Sequence, residues 1–173
     1  MKSTMTAAMA HKQYNEGVTA FRRQIPDPAL RVQFGQETDE FMRQCALGVW
    51  KADGAEITPR HVEFYNAIYC RGNQVPSALY WELATKVAEY PGFQPPAFFP
   101  KMLEQDRQRG EHLARRFADL MTLMLLLFAA ADDVVSEEEA GFVNRCADQL
   151  LDLCRRDGLL GDKPALKVDE FVT

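Results

Sequence analysis

The sequence holds no apolar run long enough to cross a bilayer: the longest, Leu120 to Ala131 with Thr122 inside it, falls well short of the roughly 18 to 20 residues a membrane helix needs. It holds no long basic run either. Its 20 Lys and Arg stand against 25 Asp and Glu, a balance without the electrostatic footprint of a DNA- or RNA-binding chain. The stretch MKSTMTAAMAHKQYNEG lacks the continuous apolar core of a signal peptide. Cys45, Cys70, Cys146 and Cys154 include no C-x-x-C pair, which argues for buried reduced thiols in a cytoplasmic protein rather than a disulfide frame or a zinc site. There is no G-x-S-x-G, no Gly-rich phosphate loop and no H-E-x-x-H. His11, His61 and His112 are scattered and expected at the surface; Cys154, although followed by Arg155 and Arg156, lies on an apolar stripe and is expected to be inert. These absences leave little ground for an enzyme.

What is present is helical spacing. With 173 residues, 47% of them hydrophobic, the chain can bury one substantial core, so a single all-α domain over residues 1–173 is expected. Phe41, Met42, Cys45, Ala46, Val49 and Trp50 step by three and four, as do Phe142, Val143, Cys146, Ala147, Leu150, Leu151 and Cys154. Glycine and proline breaks then delimit about six helices, near 5–24, 29–52, 59–71, 78–90, 101–131 and 137–156, with Gly110 bending the fifth. The segment over 120–131 is expected to be buried on every side. The proline-rich stretch PGFQPPAFFP at 91–100 is read as a loop pinned by Phe93, Phe98 and Phe99 rather than a ligand for an SH3-type groove. Arg107, Arg109, Arg115 and Arg116 mix with Glu104, Asp106 and Glu111, the pattern of a solvated, ion-paired helix face.

Two segments share one plan: FMRQCALGVWKADGAEITPRHVEFYN and LMTLMLLLFAAADDVVSEEEAGFVN each run from an apolar helix through Ala-Asp and a short turn to Ser or Thr and a second helix. Ala52-Asp53 matches Ala131-Asp132, Ile57-Thr58 matches Val135-Ser136, and Phe64 and Asn66 fall on Phe142 and Asn144, defining an internal repeat of about 40–71 and 119–150. The expected frame is two related helix-turn-helix hairpins, with Trp50, Leu126, Phe128 and Phe142 buried together. Ser136 and Glu139 form an S-x-x-E capping box, and Thr58-Pro59 starts the matching helix. Asp53 and Asp132 close helix C-termini, where the dipole disfavours an anion. Either they accept from backbone N–H groups in Asx-type turns or they help hold a hard cation. Neither turn is an EF-hand, because counting from Asp132 puts Val143 where a bidentate glutamate belongs. Tyr65, Tyr69, Tyr80, Trp81 and Tyr90 form either a partner groove or an ordinary core with satisfied phenols.

The stretches KADGAEITPRHVEF and AADDVVSEEEAGF resemble the turns of the TerB-like family, the tellurite-resistance and DjlA N-terminal type of helical domain. The likeness covers residues 40 to 155. It implies an all-α bundle with pseudo-twofold helical repeats, no catalytic activity, and a cytoplasmic stress-response or defence role as an interaction module. A protein partner is therefore expected, a homodimer being one such contact, with the acidic patch around the second turn as its surface and, on residue type alone, Tyr65, Tyr69, Tyr80 and Trp81 as a further one. Carried over by position, the family's divalent-metal reading points to Asp53 and Glu56 in the first copy and Asp132, Asp133, Glu137 and Glu138 in the second, with Ca²⁺ or Mg²⁺ as the cofactor. The second copy departs from the pattern by placing Asp133 where a glycine is expected, and the first by Pro59, Arg60 and His61 in place of acids.

Overall fold

The computed structural model describes residues 5–54, 56–132, 134–161 and 166; the Asp132 side chain lies outside that description. Among the described residues the fold is all helical, with seven α-helices and no strand: α1 (Ala7–Arg23), α2 (Pro28–Ala52), α3 (Pro59–Tyr69), α4 (Pro76–Ala88), α5 (Phe99–Arg109), α6 (Leu113–Ala129) and α7 (Glu137–Arg156), with a short 3₁₀ turn at Ala130–Asp132.

The helix boundaries follow local chemistry. Asp27 caps α2 by accepting from Leu30 N at 2.8 Å, with Pro28 in the first turn where its missing N–H costs nothing. α2 ends where Gly54 takes φ +101°, a left-handed conformation that relieves the reversal of Cβ strain. Thr58 and Ser136 cap α3 and α7, each inside a capping box.

The expected helix over 101–131 is two helices. Gly110, at φ +67°, closes α5 with its N–H on Asp106 O at 2.8 Å. The Asp106 carboxylate then reaches across the break and accepts from Leu113 N (2.8 Å) and Ala114 N (2.9 Å), so an α5 residue caps α6. Asp106 is fully buried, and Arg115 nearly so, donating to Leu160 O at 3.0 Å beside Asp119. The presumed solvated face is therefore partly interior. Arg107 keeps the expected character, pairing with Asp157.

α6 is the central element, packed by α1, α2, α5 and α7. It is not buried on every side: Arg116 and Leu123 mark a strip open to solvent. α3 lies across α1 and α4. Core residues come from all seven helices, and an aromatic nucleus around Phe117 joins Phe21, Phe34, Phe41, Phe98 and Phe99 at centroid distances of 5.1 to 6.2 Å. A second nucleus unites Trp50 and Phe128, with the indole Nε1 donating to Phe128 O at 2.8 Å. Phe142 makes no ring contact with this pair, and Leu126 packs against the core only in part. Both are only partly buried, and Phe142 instead stacks edge-on to Tyr90 at 6.0 Å, over Gly48, where a Cβ would meet both rings within 2.7 Å.

Candidate functional site

The two helix-turn-helix elbows touch each other. From the first turn of α3, Arg60 donates to Ala131 O at 2.7 Å and to Met5 O at 2.6 Å while lying over the Phe64 ring. A cation thus meets the carbonyl end of α6 and its 3₁₀ extension, where the helix dipole favours positive charge. Arg60, which interrupts the acidic pattern in the sequence, is the clamp between the elbows.

The acids do less than their number suggests. Asp53 is exposed, and Gly54 makes the left-handed reversal beside it; the Ala55 N–H that an Asx turn would use lies outside the described residues. Glu56, Glu137 and Glu138 are exposed. Asp133 and the side chain of Asp132 fall outside the described residues. Among those described, no group of three His, Cys, Asp or Glu side chains is gathered as a metal would require.

The third residue of each capping box is buried. Glu139 Oε1 accepts from Ser136 N at 3.0 Å, and His61 Nδ1 accepts from Thr58 N at 2.9 Å, so a neutral imidazole performs the glutamate's part. His61 is 2% exposed, contrary to its expected surface place, because it lies 5.0 Å from the Trp50 ring. Desolvation lowers its pKa from 6.5 to about 4, Asp53 opposing and Arg60 assisting. The sign is that of a depressed base: the unfolded chain binds a proton below pH 6.5 and the folded one only near 4. Stability is therefore full above 6.5 and falls by up to about 3 kcal/mol as pH drops toward 4. Urea unfolding of the parent and of His61→Gln across that range should show this slope in the parent and a shallower one in the variant.

The four aromatics expected at a partner surface are not brought to one face. Tyr65 is buried beside Trp50, its hydroxyl accepting from Arg43 at 3.0 Å. Tyr69 packs against Tyr14 and Phe128, and burial pushes its phenol well above the ordinary range. Tyr80 is half-buried against Trp81, which alone is broadly exposed, at 72%. The α3 tyrosines face inward because they share the buried side with His61, Val62 and Phe64. All four cysteines are free; Cys45, Cys146 and Cys154 are buried as expected, whereas Cys70, at the end of α3, is only half-buried, and burial raises Cys154 to about 11 and Cys146 to about 12.

A groove that the sequence did not announce lies between α2 and the proline-rich loop. The loop is anchored at both ends. Lys51 Nζ donates to Ala88 O and Tyr90 O at 3.1 Å each, and Phe98 and Phe99 are fully buried at the far end. Between these anchors Phe93 meets Phe41 at 6.0 Å. The resulting cavity, about 570 Å³, is lined by Phe41, Tyr90, Phe93 and the loop prolines, with Glu37 and Glu40 on the α2 wall. Arg43 hydrogen-bonds Glu40 and holds its carboxyl below the usual range, whereas Glu37 accepts only from the neutral Gln33 amide at 3.0 Å. This is a concave apolar site in which Glu37 has no ion pair among the described residues.

The class these features define is an all-α helical bundle with an apolar surface groove. No helix among the described residues is long and apolar enough to cross a membrane. No family model, curated protein or solved structure matches the chain.

Proposed function

We propose that this protein is a non-enzymatic interaction module that receives, in the groove between α2 and the loop at 91–97, a segment of a partner protein carrying apolar anchors and a basic residue. The single observation that carries the reading is the groove's chemistry: an apolar floor fixed at both ends, with Glu37 lacking an ion pair among the described residues. Its volume suits two or three side chains, and a Lys or Arg of the partner complements Glu37. The resemblance of the turn sequences to TerB-like domains supports a cytoplasmic stress-response or defence setting, and four unpaired cysteines are in keeping with a reducing compartment.

Panning a random peptide library on the full chain tests this. Selected peptides should combine aromatic or aliphatic residues with a Lys or Arg. Their affinity should fall about tenfold or more with Phe93→Arg, by lost packing and charge repulsion, and also weaken with Glu37→Gln. Trp81→Ala, whose ring does not line the groove, should leave it unchanged. Peptides that bind Phe93→Arg as well as the parent would refute the site.

A further inference from the structure

On α5, the Gln105 side chain is 6% exposed, and neither its amide oxygen nor its amide nitrogen has a hydrogen-bond partner. A buried carboxamide left this way bears its desolvation cost without return, which in native structures calls for an explanation. Gln105 lines a cavity of about 230 Å³ between α5 and the first turn of α2, separate from the peptide groove. Both amide atoms are themselves enclosed, so meeting a ligand in that space requires the amide to reorient, which the soft, broad terminal torsion of a glutamine permits.

The rest of the wall carries both signs of charge. Lys101 and Arg109 contribute cations, Asp27 and Glu104 carboxylates. Arg109 has no ion pair among the described residues. At the positive end of α2, Asp27 satisfies Leu30 N, while Ala29 N–H, which also lines the cavity, has no acceptor among the described residues. A simple anion here would face two carboxylates and a simple cation two basic groups; a zwitterion pairs with both. The Gln105 amide, with donors and an acceptor side by side, complements a second carboxamide.

We propose that this cavity binds a free α-amino acid with a carboxamide side chain. Its carboxylate meets Arg109, Lys101 and Ala29 N–H, its ammonium meets Glu104 and Asp27, and its amide pairs with Gln105. Calorimetric titration of the full chain with L-glutamine and L-asparagine tests this, with L-norleucine as a ligand lacking the amide. Saturable binding of at least one carboxamide amino acid is expected, with none of norleucine. Both Gln105→Met and Arg109→Ala should weaken it by about tenfold or more. Gln105→Met replaces an unpaired buried amide by an apolar chain of similar shape and should fold as the parent does, and Arg109 is exposed, so the two variants do not share a route to misfolding. No heat from either amino acid, or affinity undiminished in both variants, overturns the assignment and leaves ordered water as the partner of Gln105.

Discussion

Truncating Phe117 to alanine should lower the unfolding free energy by about 3 to 5 kcal/mol, the range for a fully buried ring whose cavity cannot collapse. Phe117 is fully buried near the N-terminal end of α6, and five other phenylalanine rings surround it, Phe98 closest at 5.1 Å and edge-on. These rings come from α1, α2, α5, α6 and the end of the loop, so the void left behind is shared by elements that cannot all move inward together. Edge-to-face contacts add to the area term. Against a total stability of about 5 to 15 kcal/mol typical of such domains, this is a large fraction. Urea denaturation should show the midpoint shifted with the m-value unchanged; a loss below about 1 kcal/mol would mean the nucleus is not shared as described.

Asp106→Ala is the second large effect, expected at about 2 to 5 kcal/mol. The substitution strips the acceptor from Leu113 N–H and Ala114 N–H at once, and each buried orphan donor costs about 1 to 3 kcal/mol. Burial raises the Asp106 carboxyl above its ordinary range, only partly offset by those two N–H bonds, so the native cap carries its own desolvation penalty. Asp106→Asn keeps an acceptor for one of the two N–H groups, sets an NH2 against the other and sheds the buried charge, and should lose less than the alanine variant. Thermal unfolding of the pair, with the helical signal followed by circular dichroism, checks the order; equal losses would show that the oxygen is not what caps α6.

These two residues also mark the boundary of what could be read from the sequence. Phe117 lies within the helix expected over 101–131 but just before its apolar run of 120–131, so the helix is legible in the sequence while the ring's place at the nucleus is not. The Ser136–Glu139 capping box is legible too, since its partners stand three residues apart. Asp106 reads as a surface acid in the sequence because its work is done seven and eight residues away, across a reversal that Gly110 makes possible. The glycine was noticed, but a bend and a break look alike until the carboxylate is seen on the far side.

His61 illustrates a different obstacle. A histidine in the glutamate's position of a capping box gives no familiar pattern, and its burial depends on Trp50, eleven residues earlier. The count of tyrosines near α3 and α4 was plain, yet composition does not say which face is buried; Tyr65 went inward and Trp81 outward. The acidic turn stands out by its charge, while the groove has no local signal: it exists only because Lys51 and the buried Phe98 and Phe99 hold a proline-rich loop opposite α2, Lys51 reaching residues 37 and 39 positions away. The loop's pinning by aromatic rings was legible, since apolar residues among prolines argue for anchorage; the concavity it encloses was not.

The central claim, that a partner's segment docks between α2 and this loop, is tested most directly by following backbone amide resonances while a library-selected peptide is titrated into the full chain. The account predicts saturable shifts concentrated at residues 36–45 and at the non-proline positions of 90–97, lost together in Phe93→Arg. Shifts centred instead on α4 around Trp81, or on the acidic turn from Asp132 to Glu138, would contradict it.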